Sequence, residues 1–113
     1  MKKEYEIGSD NMILDGQKQD VKNFIVDVSG KTSDGVISKG QVLDLAEGKY
    51  TVHAENGDVN CIAAGNAEYK AEDTSVVVPC YITGSFRKSA MVTEFALTEK
   101  DEERFRELGI ILG

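Results

Sequence analysis

The mostly apolar run 74–86 predicts the strand around which the rest of the chain is organised. β-branched and aromatic residues dominate it and favour an extended conformation. One face carries, at period two, Val76, Val78, Cys80 and Ile82, and we expect that face to contact the core. Pro79 has no N–H to donate, which predicts either an edge strand or a bulge. Gly84 then ends the strand, and Phe86 follows it as an apolar anchor.

Shorter strands are predicted on the N-terminal side of this run. Phe24, Val26 and Val28 alternate with outward-facing positions over residues 21–29 and indicate a strand. Residues 33–40 combine turn formers with a short apolar run, and residues 39–43 indicate a turn that enters another strand. Residues 65–73 form a polar connection that we interpret as a loop.

The pair Asn56-Gly57 is favoured at the centre of two-residue type I′ hairpins. We therefore predict that residues 50–55 and 58–63 pair with each other as a hairpin. In that register one face is apolar, and His53 lies on the opposite, solvated face. His53 is thus predicted to be a surface residue, and not a metal ligand or a catalytic base.

One helix is predicted near the C-terminus, over residues 99–108. Thr98 is a favourable N-cap, and Asp101 at the third helical position completes a near capping box. Gly109 ends the helix, and the apolar residues 110–112 indicate a terminal strand. The acidic residues of the first turn (Glu99, Asp101, Glu102 and Glu103) are interpreted as solvated charges that favour the helix dipole, and not as a site.

Residues 1–20 are predicted to form a flexible N-terminal arm, and residues 21–113 a single β-rich domain. Turn formers dominate the arm, and its large apolar residues are Tyr5, Ile7, Met12, Ile13 and Leu14. Such an arm could add a strand to the sheet edge of a partner. The alternative, a first strand paired within its own domain, fits the pattern equally well.

The chain of 113 residues carries a formal charge of -7 and has no basic cluster. Binding to nucleic acid or to anionic lipid needs clustered cations, so neither is expected. No apolar run approaches the ~20 residues that span a bilayer. The first residues do not resemble a signal peptide, and we expect synthesis in the cytoplasm.

Candidate chemistry in the sequence is sparse. The segment Ser29-Gly30-Lys31-Thr32 lacks the first glycine and the following helix of a phosphate-binding loop. Cys61 and Cys80 are too far apart for a CxxC motif. We interpret them as two buried, reduced thiols, and a disulfide stays open if their strands are neighbours. No cofactor and no metal are predicted.

The order of elements in residues 36–113 resembles a known family. The entry Gly40-Gln41-Val42-Leu43 precedes Cys61-Ile62-Ala63 and the acidic pair Glu72-Asp73. The strand ending in Gly84-Ser85-Phe86, the acidic helix ending at Leu108 and the finish Gly109-Ile110-Ile111-Leu112 follow. This order is similar to that of the head decoration protein D family of lambda-like bacteriophages.

The resemblance implies a mainly β fold, a small barrel of the β-clip type with one short C-terminal helix. It implies a homotrimer without enzymatic activity that binds the phage major capsid protein on the outside of the expanded virion capsid. There it would act as a cement against internal DNA pressure, without contacting nucleic acid or membrane. The family's structural pattern falls on Gly40, Leu43, Gly84, Phe86, Leu108 and Gly109. The candidate capsid contacts are the arm residues Tyr5, Ile7, Met12, Ile13 and Leu14.

A second hypothesis starts from the surplus of carboxylates. Trimeric β-clip enzymes of the nucleotide pyrophosphatase type build their sites between subunits, and carboxylates could hold Mg²⁺ there. The sequence has no clustered Asp-x-x-Asp and no Gly-rich nucleotide loop, which weighs against this alternative.

Overall fold

The structure, a computed structural model, describes residues 20–113. The arm residues Tyr5, Ile7, Met12, Ile13 and Leu14 therefore lie outside the described residues. In chain order the elements are β1 (Val21–Asp27), β2 (Gly35–Ile37), β3 (Val42–Ala46), β4 (Lys49–Val52), β5 (Val59–Ala63), β6 (Ala67–Tyr69), β7 (Ser75–Tyr81), β8 (Gly84–Phe86), α1 (Glu99–Leu108) and β9 (Ile110–Leu112). A 3₁₀ turn, Lys88–Ala90, lies between β8 and α1.

Five of these strands close into a barrel, in the order β1-β4-β3-β5-β7. Two small sheets, β2 with β6 and β8 with β9, lie beside it. The prediction of a mainly β fold with a small barrel and one short C-terminal helix is confirmed. The predicted loop 65–73 is corrected in part, because β6 lies within it and pairs with β2.

The prediction that Pro79 marks an edge strand or a bulge is wrong. β7 pairs with β1 in one unbroken register along its length, and with β5 at Cys80 and Tyr81. In the ladder between β7 and β1, the even-numbered residues of β1 form the hydrogen bonds. Pro79 lies opposite an odd-numbered residue, Asn23. The nitrogen of Pro79 therefore points toward β5. The β5 ladder ends at Ala63 and Cys80, and the Ala64 N–H donates to the Pro79 carbonyl at 2.7 Å. Pro79 has no N–H to return this bond, and the ladder with β5 ends there.

The predicted hairpin around Asn56-Gly57 is also wrong. β4 and β5 both pair with β3, which lies between them, and Leu43 faces Val52 on one side and Cys61 on the other. A turn does form at the predicted place, where the Gly57 N–H donates to the Ala54 carbonyl at 2.9 Å. This turn connects two strands that are not neighbours.

The two-residue hairpin of the barrel lies one connection earlier, between β3 and β4. Glu47 and Gly48 have φ values of 53° and 77°, as a type I′ turn requires at both central positions. Ala46 and Lys49 pair directly across it. Glutamate is not a favoured residue at this position, so the sequence signal for the hairpin was weak.

Two apolar clusters fill the protein. The barrel interior holds fully buried residues from the inward faces of its strands, among them Val26, Leu43, Cys61, Val78 and Cys80. The second cluster lies between the barrel and α1 and contains Val42, Ile62, Phe86, Phe105 and Ile110. The predicted inward face of β7 is confirmed at Val78 and Cys80. The helix therefore covers one side of the barrel through Phe105.

Cys61 and Cys80 are free and fully buried, which agrees with the prediction of reduced core thiols. Their strands are neighbours in the barrel, and the Cys80 thiol donates to the Val78 carbonyl at 3.4 Å. The neighbouring Cys80 thiol, together with burial, raises the pKa of the Cys61 thiol far above its ordinary value, while Cys61 lowers the pKa of Cys80. The folded state therefore keeps the proton on Cys61 at alkaline pH.

This raised pKa predicts a loss of stability at alkaline pH. An unfolded thiol ionises near pH 8.5, whereas folded Cys61 stays protonated, so the unfolded state binds fewer protons above that pH. The stabilisation is complete below about pH 8.5, and the free energy of unfolding falls by about 1.4 kcal/mol per pH unit above it. Urea titrations between about pH 8 and pH 9.5 would measure the slope. Cys61→Ala is expected to make it shallower, and a flat wild-type profile would contradict the assignment.

Candidate functional site

Three buried charged or titratable side chains of the described residues meet at one place. Asp44, His53 and Asp101 are 4%, 3% and 8% exposed, and we call them the His53 cluster. Nδ1 of His53 lies 2.6 Å from Oδ1 of Asp44. Nε2 of the same ring lies 3.6 Å from Oδ2 of Asp101. The imidazole therefore lies between two carboxylates.

Asp44 lies on the outer face of β3 and is buried because other residues cover it there. Leu43 faces the barrel interior, whereas Val42, two residues before Asp44, belongs to the second cluster. The pairing with β5 shifts register after Leu43, since Leu43 lies opposite Cys61 and Asp44 opposite Val59.

His53 and the loop at Gly57 lie against the Asp44 carboxylate. Oδ2 of Asp44 also accepts a hydrogen bond from the Ala54 N–H at 2.9 Å. Both carboxylate oxygens are thus engaged.

His53 extends β4 by one residue, because its N–H donates to the Val42 carbonyl at 3.0 Å. Its side chain points to the barrel end that α1 covers, where it faces Asp101. The prediction that His53 is a surface residue is wrong. That prediction depended on pairing β4 with β5, and β3 occupies that place.

Asp101 has two roles. It forms the predicted capping box, with the Thr98 N–H donating to its Oδ2 at 3.0 Å and its own N–H donating to the Thr98 hydroxyl at 3.2 Å. The same oxygen faces His53, although the sequence predicted that all the acids of this turn were solvated. That prediction holds for the exposed Glu99 and Glu103 and is wrong for Asp101.

The arrangement limits the chemistry of His53. An ionised carboxylate can only accept a hydrogen bond, so Nδ1 of His53 donates to Asp44. Nε2 faces the second carboxylate, Asp101. With a carboxylate against each nitrogen, the ring is placed to link β3 and β4 to α1.

A cleft of about 350 Å³ opens beside the cluster. The loop after β4 forms one wall and carries Glu55 and Asp58, and α1 forms the other wall and carries Lys100 and Arg104. The walls are therefore opposite in charge. In the part of the chain that the structure describes, no group of three or more His, Cys, Asp or Glu residues is placed to hold a metal ion.

Gly57 lies so close to Asp44 that the His53 cluster leaves no room for a side chain at this residue. A Cβ at this residue would collide with Oδ2 of Asp44, the atom that accepts from the Ala54 N–H. We expect Gly57→Ala to lower the free energy of unfolding by about 1–3 kcal/mol, as overpacking does. Chemical denaturation measures the loss. Gly65→Ala is the matched control, since its Cβ meets only Cγ of Pro79 at 3.3 Å. Equal losses in the two variants would contradict the tight contact with Asp44.

Most residues of the family pattern lie where a positive φ or full burial restricts the residue type. Gly40, Gly84 and Gly109 have φ values of 94°, 135° and 96°, a backbone region that favours glycine. Leu43 and Phe86 are fully buried, in the barrel interior and in the second cluster. Leu108, at the end of α1, is half-buried.

Two elements of the pattern that lie far apart in sequence come together. β8 and β9 pair in parallel, with Gly84 opposite Ile110 and Phe86 opposite Leu112. The predicted terminal strand is therefore confirmed, and α1 connects directly into it. Phe105 of α1 lies in the same apolar cluster as Phe86 and Ile110. We call this unit of β8, α1 and β9 the C-terminal module.

Comparison with models of known protein families finds no match for this chain, and comparison with curated proteins also finds none. Among the described residues, no helix is both long and apolar enough to cross a membrane.

Proposed function

We propose that this chain is a phage head decoration protein. In this proposal it forms a homotrimer that binds the major capsid protein on the outside of the expanded capsid and stabilises the shell. The observation that supports the proposal most is the C-terminal module. Two sequence elements that resemble the decoration family pair with each other, Gly84-Ser85-Phe86 and Ile110-Ile111-Leu112. In the chain they lie on either side of α1.

The three glycines of the pattern add to this support. Each has a positive φ, and Gly40 presses against the Ala90 carbonyl, which lies 2.7 Å from the place of a Cβ. The pattern therefore falls on positions where the backbone demands those residue types. The His53 cluster is compatible with a binding protein, because it connects α1 to the barrel and holds both carboxylates in place.

Weak contacts suffice for such a cement. A trimer that engages three capsid subunits at once gains affinity by avidity, since the second and third contacts form at high effective concentration. The N-terminal segment, with Tyr5 and Ile7, supplies one such contact per copy in this proposal. Loss of a small apolar contact in each copy is therefore expected to weaken binding by more than that contact alone.

Co-sedimentation with phage heads tests the binding. Purified protein is expected to sediment with expanded heads and to stay in the supernatant with unexpanded ones. Tyr5→Ser/Ile7→Ser should weaken binding at least about tenfold through the loss of avidity. Glu4→Gln/Glu6→Gln, in the same segment, is the matched control and should bind like the wild type. Failure of the wild type to sediment with expanded heads would refute the proposal.

The oligomeric state is tested separately. Light scattering is expected to give a mass of about 37 kDa, three times the 12.3 kDa of the chain. A monomer that persists at high protein concentration would contradict the homotrimer.

The alternative, a trimeric enzyme of the nucleotide pyrophosphatase type, rests on the carboxylates near the cleft. A ligand that binds the folded state raises the melting temperature by mass action. Thermal melts with Mg²⁺ and nucleoside triphosphates, together and alone, are expected to show no shift. A rise that needs both would favour the enzyme over the decoration protein.

A further inference from the structure

The exposed Asn56, which precedes a glycine, is the least restrained asparagine of residues 20–113. Within these residues, no group forms a hydrogen bond with its side-chain amide. Asn23 and Asn60 differ, because they lie within β1 and β5. Asn66 differs as well, because its Oδ1 accepts from the Lys39 N–H at 2.7 Å. None of these three asparagines precedes a glycine.

The backbone around Asn56 is a single exposed turn. Asn56 has a φ of 65°, a region that asparagine tolerates better than most residues do. One hydrogen bond closes the turn, from the Gly57 N–H to the Ala54 carbonyl at 2.9 Å. Residues 54–56 are exposed, and such loops open locally at little cost in free energy. The Gly57 nitrogen is therefore released repeatedly while the barrel stays folded.

A released Gly57 nitrogen is next in the chain to a labile side chain, since asparagine is among the chemically unstable residues of proteins. When this nitrogen gives up its proton to hydroxide, it forms a bond to Cγ of Asn56. The side-chain nitrogen takes up a proton from water and leaves as ammonia, and a five-membered succinimide ring results. Glycine favours the closure, because it has no Cβ to restrict the rotation that brings the two atoms together.

The succinimide is then opened by water at either of its two carbonyls. One opening gives an aspartate with a main chain of normal length. The other gives an isoaspartate, whose main chain runs through Cβ and Cγ and so contains one additional carbon before Gly57. Both products carry a negative charge that asparagine lacks.

We propose that Asn56-Gly57 is a site of spontaneous deamidation and that its isoaspartate product loosens the His53 cluster. Gly57 lies against Oδ2 of Asp44 with no room for a Cβ, so an additional main-chain carbon directly before it disrupts this contact. The same oxygen accepts from the Ala54 N–H, and Oδ1 of Asp44 binds Nδ1 of His53. A displaced Asp44 therefore weakens the link that His53 makes to α1.

The added charge lies on the acidic wall of the cleft. Glu55 and Asp58 flank the turn and line the same cleft, and like charges repel at short range. The aspartate and the isoaspartate share this repulsion. Only the isoaspartate also lengthens the main chain, so the two products are expected to differ in their effect on the His53 cluster.

Peptide mass spectrometry of the full chain, incubated in mildly alkaline buffer, tests the reaction. The Asn56 side chain is expected to exchange its NH₂ for OH at least about tenfold faster than the other described asparagines, because it alone of them precedes a glycine. Asn56→Gln is the matched variant, since glutamine has to close a six-membered ring, and should stay unmodified. A reaction at Asn56 no faster than at Asn23, Asn60 and Asn66 would overturn the proposal.

Hydrogen exchange of the isoaspartate product, isolated by chromatography, tests its effect on the cluster. The Ala54 amide, which donates to Asp44, is expected to exchange at least about tenfold faster than in the unreacted protein. Asn56→Asp is the matched control, because it adds the charge without the additional carbon, and should keep the Ala54 amide protected. The amides of β7 should be equally protected in all three proteins, which shows that the barrel stays folded. Equal protection of Ala54 in the isoaspartate product and the unreacted protein would overturn the proposal, and so would an equal loss in Asn56→Asp.

Discussion

His53→Ala is expected to lower the free energy of unfolding by about 3 kcal/mol, because it leaves buried hydrogen-bonding groups without their partner. The change leaves the carboxylates of Asp44 and Asp101 buried without the imidazole between them. At about 4–8 °C per kcal/mol, the melting temperature should fall by about 12 °C or more. Urea denaturation followed by circular dichroism measures the change.

Two variants sharpen the test of the His53 cluster. His53→Asn keeps one donor for Asp44 but does not reach both carboxylates, so its loss of stability should be intermediate. Arg104→Ala removes an exposed ion pair on the same helix, where Nη1 lies 3.4 Å from Oε1 of Glu107, and should cost less than about 1 kcal/mol. If His53→Ala is no more costly than Arg104→Ala, His53 does not link the helix to the barrel.

Phe86→Ala is expected to cost about 3–5 kcal/mol by opening a cavity between the barrel and α1. Phe86 is fully buried and its ring centroid lies 4.9 Å from that of Tyr81. Phe105 and Ile110 belong to the same cluster. Their contacts with the ring are lost together, so α1 and β9 should loosen along with β8. Calorimetry measures the loss of stability, and hydrogen exchange in α1 shows where it occurs.

Ile111→Ala is the matched control for Phe86. Ile111 lies in the strand that pairs with β8, but its side chain is 44% exposed, so truncation should cost less than about 1 kcal/mol. Phe86→Leu fills part of the cavity and should fall between the two. Equal losses for Phe86→Ala and Ile111→Ala would show that the second cluster does not hold the C-terminal module together.

The elements with strong local signals could be predicted from sequence. α1 begins after Thr98 and ends before Gly109, as predicted, because a capping box and a left-handed glycine determine its ends within a few residues. The inward faces of β1 and β7 follow from period two, as Val26 and Val78 show. Each of these features depends on residues that are close together in the chain.

Strand neighbours could not be predicted in the same way. Asn56-Gly57 does form a turn, but a turn signal does not tell which strands pair across the barrel. β3 lies between β4 and β5, and its own hairpin uses Glu47 and Gly48. The position of β7 inside the barrel depends likewise on closure with β1, a long-range contact.

The His53 cluster was missed for the same reason. His53 and Asp101 come together only when α1 packs on the barrel, and Asp44 is buried only because His53 and the loop at Gly57 cover the outer face of β3. One local signal was present. Asp44 is an acid within the apolar run Val42-Leu43-Asp44-Leu45-Ala46, and a carboxylate in such a run needs a buried partner. The only histidine of the chain is that partner.

The stabilisation of expanded, DNA-filled heads by the purified protein tests the proposed function most directly. Heads that lack the protein are heated with and without it, and the temperature at which they release DNA is recorded. A cement that binds many sites at once should raise that temperature, and the Tyr5→Ser/Ile7→Ser variant should raise it less. DNA release at the same temperature with and without saturating wild-type protein would contradict the account.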